Sequence, residues 1–65
     1  MKLLSKKQLK DYVPFSSQHI ARLEKRGLFP TRVQIGENRV AWVEEEVLDW
    51  INQRIVERDR LPDTL

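Results

Sequence analysis

Residues 16–30 read SSQHIARLEKRGLFP, and this stretch decides the fold. Ser16 is a favourable N-cap residue because its hydroxyl can accept a hydrogen bond from a free amide of the first helical turn. Gly27 suits the position just after a helix, where a left-handed backbone is common, and two basic residues precede it in the turn that favours cations. The stretch therefore predicts a helix over 17–26.

A second, shorter helix precedes this one. Ser5 and Gln8 have the spacing of a capping box, and apolar residues follow at helical intervals. The helix must end before Pro14, because proline disfavours helical geometry in the residue before it. We predict a helix over 6–13, and two short helices joined by a tight turn form a helix-turn-helix.

Downstream of this pair, 32–42 contains two short stretches in which apolar and polar residues alternate, separated by Gly36-Glu37-Asn38. This pattern predicts a β-hairpin. We expect one face to carry the apolar residues Val33, Ile35, Val40 and Trp42. The residues expected to point outward are Arg32, Gln34, Arg39 and Ala41.

Three consecutive glutamates begin the last predicted helix, which we place at 44–58, because acidic residues are favourable in a first helical turn. Its apolar stripe consists of Val47, Leu48, Trp50, Ile51 and Ile55. The predicted fold class is mainly α with a small β-hairpin, a winged helix-turn-helix. We expect one domain over 1–60 and a C-terminal tail over 61–65.

Charge is unevenly distributed along the 65 residues. Residues 1–40 carry a net charge of +6, whereas 41–65 carry −4, which suggests a polyanionic partner for the first part. The chain has no cysteine and no apolar run long enough to cross a membrane. We expect a cytoplasmic protein without disulfides and without membrane contact.

The helix at 17–26 offers the side chains that suit a duplex. Burial of Ile20 and Leu23 turns a short, polar and basic set outward, and these residues are Ser17, Gln18, Ala21, Arg22 and Lys25. Arginine can bond guanine, glutamine can bond adenine, and an alanine methyl can touch the thymine methyl. Lys25 and Arg26, at the far end, are better placed for phosphates. The alternative interpretation is an ordinary solvated helix face.

Three further residues join the predicted DNA-binding set. Asn38 and Arg39 at the hairpin tip could reach the adjacent minor groove or backbone, or Arg39 could pair with a nearby acid. Arg32 is a further candidate contact, or it stabilises the start of the hairpin. His19 flanks the helical surface, where it could contact a phosphate.

No arrangement of residues points to catalysis. A single histidine without cysteine cannot build a zinc site, and Ser16, Ser17 and His19 lie too close in sequence to form a catalytic triad. The consecutive glutamates at 44–46 splay around the helix axis and do not converge on a metal. We therefore expect neither an enzyme nor a cofactor.

Three pieces of the sequence stand out by their motifs and mutual spacing. These are SSQHIARLEKRGLFP at 16–30, the stretch from Gly36 that ends in Arg39-Val-Ala-Trp42, and Glu46-Val-Leu-Asp-Trp50-Ile. Together they resemble the AlpA family of prophage regulators. The resemblance covers about 3–56. It implies a winged helix-turn-helix of the excisionase and MerR type, and a transcription regulator of a mobile element or a factor in its excision.

These considerations predict a sequence-specific regulator that binds double-stranded DNA through 17–26 in the major groove, with 32–42 as the wing. One alternative is an excisionase-like directionality factor that bends DNA. The other is a protein-interaction adaptor without DNA binding. RNA polymerase, integrase and a second copy of the chain on DNA are candidate protein partners.

Overall fold

The computed structural model describes residues 1–60, which form three helices around a small antiparallel sheet. In chain order the elements are β1 (Leu3–Leu4), α1 (Lys6–Tyr12), α2 (Ser17–Lys25), β2 (Val33–Gly36), β3 (Arg39–Val43) and α3 (Glu44–Arg60). The sheet order is β1-β3-β2. The predicted fold class, mainly helical with a hairpin wing, is confirmed.

Both helices of the helix-turn-helix have a serine as the N-cap residue. The Ser5 hydroxyl accepts a hydrogen bond from the Gln8 amide at 3.2 Å, while the Gln8 carboxamide accepts one from the Ser5 amide at 3.0 Å. Ser16 caps α2 by accepting from the His19 amide at 3.1 Å. α1 ends where Val13 becomes extended, directly before Pro14, so the caps and the proline set the geometry of the turn.

Gly27 ends α2 and redirects the chain toward the hairpin. Its φ of 71° lies in the left-handed region, which residues with a side chain rarely adopt. The Leu28 amide donates to the Leu23 carbonyl at 2.8 Å, and the Gly27 amide donates to the Glu24 carbonyl at 3.0 Å. These two bonds form a Schellman motif, which satisfies carbonyls left free at the helix end.

The core takes at least one residue from each element except β2. Its buried members are Leu4, Leu9, Val13, Ile20, Phe29, Trp42 and Val47. Trp50 was expected on a buried face, but it is only partly buried at the edge of this cluster. It packs edge-on against Phe29, with ring centroids 4.9 Å apart, and its indole donates to the Leu28 carbonyl at 2.7 Å.

β1 was not predicted, and it makes β3 the central strand. Leu4 pairs with Trp42, and Leu3 pairs with Val43. A strand of two residues is too short to show an alternating pattern, so the sequence carries no periodic signal for it. Ala41 consequently lies in a strand with a neighbour on each side and is 2% exposed. The prediction that Ala41 points outward is wrong.

The predicted faces of the hairpin are also wrong for β2. Val33 pairs with Ala41, and Gln34 pairs with Val40, so Val33 does not share a face with Trp42. Val33 is 40% exposed, and Ile35, at an irregularity in the pairing, is 53% exposed. A one-residue change of register moves every side chain of a strand to the other face. The observed pairing differs from the predicted one by such a change, so Gln34 and not Val33 lies on the face of Val40 and Trp42.

α3 runs two residues beyond the predicted end, and its apolar stripe is only partly covered. Val47 is fully buried, whereas Leu48 and Ile55 are exposed. The α3 amide of Glu44 donates to the Lys2 carbonyl at 2.9 Å, which joins the helix to the N-terminal strand. No helix within the described residues is both long and apolar enough to span a membrane. The tail predicted at 61–65 lies outside the described residues.

Candidate nucleic-acid interface

The outer face of α2 is polar, basic and open. Ile20 anchors the helix in the core with 3% of its surface exposed, and Leu23 packs against the same cluster. The opposite face exposes all five residues predicted to point outward, namely Ser17, Gln18, Ala21, Arg22 and Lys25. The predicted orientation of the helix therefore matches the structure, while contacts with DNA stay a prediction.

His19 has a packing contact at the start of α2. Its ring meets Phe15 edge-on, with centroids 4.6 Å apart and planes at 88°, and the side chain is half-buried. Phe15 in turn meets Trp50 at 6.3 Å. His19 thus stabilises the turn between the helices. It lies beside the outward face of α2, but part of its ring is covered by Phe15.

Arg32 is engaged by contacts within the chain. Its Nη2 lies 2.7 Å from the Glu24 carboxylate, its Nε donates to the same oxygen at 2.9 Å, and its guanidinium stacks 5.1 Å from the centre of the Trp42 ring. Of the two roles considered for Arg32, this geometry favours stabilisation of the start of the hairpin. A guanidinium held in this way is poorly placed to bind a second anion.

Glu24 is the structural residue that the sequence did not single out. Its carboxylate accepts hydrogen bonds from the Arg32 amide at 2.8 Å and from the Trp42 indole at 3.1 Å, in addition to the Arg32 ion pair. The partners lie eight and eighteen residues away, so no local spacing reveals the contact. Because Glu24 turns inward, its negative charge is removed from the outer face of α2.

Two α1 lysines join this basic surface. A narrow crevice between α1 and α2 is lined by Lys6, Lys10, Ser17, Arg32 and Trp42, among others. Neither lysine was among the predicted DNA-binding residues. In the folded chain Lys6 and Lys10 lie beside the first turn of α2. The helical pattern of α1 alone does not predict this position, because it contains no information about how α1 packs on α2.

The hairpin tip is a two-residue turn at Glu37 and Asn38, closed by the pairing of Gly36 with Arg39. The Gln34 carboxamide donates to the carbonyls of Gly36 and Glu37 at 3.1 and 3.3 Å, which holds the turn in shape. Asn38 and Arg39 are exposed at this tip.

Six cations of this surface have no acidic partner in the part of the chain that the structure describes. Within residues 1–60, the ion pairs engage Lys2, Arg32, Arg54 and Arg58. The remaining basic residues of the outer surface are Lys6, Lys10, Arg22, Lys25, Arg26 and Arg39. A set of unpaired cations on one part of a fold is the electrostatic pattern of a polyanion-binding protein.

Among residues 1–60, no cluster of three or more His, Cys, Asp or Glu side chains is arranged to hold a metal ion. Within these residues, the three glutamates that begin α3 do not form part of such a cluster.

Comparison with known protein families gives a match over most of the chain. The sequence profile of a protein family described as "Prophage CP4-57 regulatory protein (AlpA)" matches residues 2–55. The matched range includes α1, α2, the hairpin and most of α3. A search of curated proteins found no similar sequence.

Proposed function

Because the chain belongs to the AlpA family of prophage regulatory proteins, we propose that it is a sequence-specific, double-stranded DNA-binding transcription regulator of a prophage or related mobile element. The observation that carries this proposal is the outer face of α2. A helix anchored by Ile20 presents an exposed set of short polar and basic residues, and Glu24 is turned away from them. Such a helix fits the major groove of B-DNA.

Base contacts come from the N-terminal and central part of α2. Gln18 can bond an adenine through its carboxamide, and Arg22 can bond a guanine through two guanidinium donors. Ala21 lies between them and allows close approach to a thymine methyl. Ser17 is short enough to reach either a base edge or a phosphate.

Phosphate contacts hold the helix in register at its C-terminal end. Lys25 is exposed on the last turn, and Arg26 is the C-cap residue. Both lie about two turns or more beyond the first residue of α2, where the duplex backbone flanks the groove. They contribute affinity without distinguishing one base sequence from another.

The hairpin acts as the wing beside this helix. Arg39 and Asn38 occupy its exposed tip, and the Gln34 bonds give the turn a fixed shape. An arginine on a narrow projection suits a minor groove, where the negative potential is greatest when the groove is narrow.

A single domain of this size covers a short site, so two copies on adjacent half-sites would raise the affinity. RNA polymerase or integrase could meet the first turn of α3, which is acidic through Glu44, Glu45 and Glu46. The protein would act in the cytoplasm, at the nucleoid.

The experiment has two stages. First, affinity for a random duplex is measured at several salt concentrations, and a steep fall, with a log–log slope near −0.9 per phosphate contact, is expected. Second, a preferred site is selected from a randomised library, and Arg22→Ala is compared with Arg26→Ala on that site and on random DNA.

We expect Arg22→Ala to lose about 1–3 kcal/mol on the selected site and less on random DNA, because it removes a base contact. Arg26→Ala should weaken both duplexes by a similar factor. A chain that binds no duplex even at low salt would overturn the proposal in favour of a protein adaptor. Equal losses for Arg22→Ala on both duplexes would make Arg22 a phosphate contact.

A further inference from the structure

An open groove of about 400 Å³ lies between α1 and the hairpin. Lys6 and Gln8 of α1 line one side, Asn38 and Arg39 line the other, and Leu3 and Ile35 contribute apolar surface. None of the residues that line the groove is acidic. The hairpin is therefore separated from α1 by a channel with a positive rim.

The polar groups on the rim are mainly donors. Lys6 and Arg39 are exposed cations, and within residues 1–60 neither forms an ion pair. The Gln8 carboxamide oxygen already accepts from the Ser5 amide, which leaves its NH₂ group as the available end. A rim of this kind complements an acceptor that carries negative charge.

The apolar part of the groove requires a partner with a carbon surface as well. Leu3 is 39% exposed, and Ile35 is 53% exposed. Inorganic anions offer no such surface, and a protein segment would have to carry acidic side chains of its own opposite both Lys6 and Arg39. The sugar–phosphate backbone of DNA presents both features, since each charged phosphate is flanked by the C–H groups of deoxyribose.

Lys6 connects this groove to the surface of α2. It also lines the narrow crevice that Lys10 and Ser17 share, next to the first turn of α2. A strand leaving the major groove at Ser17 would therefore pass Lys10 and Lys6 before it reaches Arg39 at the hairpin tip.

We propose that the groove between α1 and the hairpin holds the sugar–phosphate backbone between the major groove occupied by α2 and the neighbouring minor groove, with Lys6 and Arg39 on either side of a phosphate. This proposal rests on the proposed function. According to this proposal, Lys6 contacts a DNA phosphate, and α1 takes part in DNA binding as well as in the fold.

The test compares Lys6→Gln with Lys7→Gln. Both changes remove one charge from the first turn of α1, and both side chains are exposed, but Lys7 lines neither the groove nor the crevice. The Ser5–Gln8 capping box is retained in both variants. Affinity is measured on a random duplex of about 20 base pairs, two helical turns, as a function of salt.

We expect Lys6→Gln to bind more weakly and to reduce the salt slope by about 0.9, whereas Lys7→Gln keeps the wild-type slope. The gap in affinity between Lys6→Gln and wild type should then narrow by about three- to fourfold between about 50 and 200 mM salt. Thermal melts check that the two variants are equally folded. Equal slopes for Lys6→Gln, Lys7→Gln and wild type would overturn the groove proposal and leave the proposed function standing.

A second measurement locates the phosphate. Single phosphates of a selected site are replaced by neutral methylphosphonates, and affinity is measured for wild type and Lys6→Gln. We expect one position, on the backbone between the two grooves, at which wild type loses affinity and Lys6→Gln loses much less. The absence of any such position would contradict the proposal, and failure of wild type to bind any duplex would overturn both this proposal and the proposed function.

Discussion

The carboxylate of Glu24 accepts a hydrogen bond from the indole of Trp42 at 3.1 Å and so joins α2 to the central strand of the sheet. The same side chain, 10% exposed, also pairs with Arg32 at the start of the hairpin. A single acid therefore fixes the angle between the proposed recognition helix and the wing. The positions of the two DNA-contacting elements depend on this contact, although Glu24 itself faces away from the duplex.

We expect Glu24→Ala to lower the free energy of unfolding by about 2–3 kcal/mol, because it leaves the Trp42 indole and the Arg32 guanidinium without their acceptor. Chemical denaturation followed by tryptophan fluorescence measures the loss. Glu37→Ala, an exposed acid at the hairpin turn, is the control and should change stability by no more than about 0.5 kcal/mol. Equal stability of the two variants would show that the Glu24 contacts contribute nothing net.

Substitution of Arg32 should affect mainly the stability of the protein, whereas substitution of Arg39 should affect mainly its affinity for DNA. Arg32→Ala removes an ion pair and the stacking on Trp42, so we expect lower stability, by about 1–3 kcal/mol, with DNA affinity of the folded protein little changed. Arg39→Ala should leave the melting temperature within about 2 °C of wild type and weaken DNA binding. Melting curves and binding isotherms on the same samples decide the assignment. A large fall in melting temperature for Arg39→Ala would make that residue structural.

Local signals in the sequence were sufficient to predict the helices. Ser5, Ser16 and Gly27 each act through bonds to residues within about one turn, so their effect can be predicted from spacing alone. Pro14 ends α1 through its own ring geometry. For these reasons the boundaries of α1 and α2 were predicted to within one residue.

The sheet could not be predicted in the same way, because its pairing joins residues that are distant in sequence. Nothing near Leu4 indicates that it will pair with Trp42, and the phase of Val33 depends on which residue of β3 it opposes. The same limit applies to the site. The outward face of α2 follows from one helical pattern, whereas the inward turn of Glu24 and the groove that Lys6 and Arg39 both line require the folded chain.

Gly27 should be sensitive to substitution although it has room for a side chain. A Cβ at Gly27 would meet no atom within 4 Å, so the cost of Gly27→Ala comes from the φ of 71° alone, and we expect about 1–2 kcal/mol. Gly36→Ala is the control, since that residue has an ordinary φ and its Cβ would lie 3.6 Å from the Arg39 Cβ. Thermal unfolding of both variants is the measurement. Comparable losses at the two glycines would contradict a purely conformational cost at Gly27.

The Tyr12 hydroxyl should ionise at a higher pH than an ordinary tyrosine, because it donates a hydrogen bond to the Glu44 carboxylate at 2.7 Å. This hydrogen bond, then desolvation, then the charges of Glu44 and Asp11 raise the pKa of Tyr12 above its ordinary value of 10.0. A raised pKa stabilises the fold below about pH 10, and that contribution is lost as the pH rises through the higher value. Tyr12 is the single tyrosine, so ultraviolet absorbance follows it alone. We expect the midpoint of the Tyr12 titration to lie above pH 10.0. Glu44→Gln should lower this midpoint clearly, and Asp11→Asn should lower it only slightly. An unchanged midpoint in Glu44→Gln would show that the hydrogen bond does not form in solution.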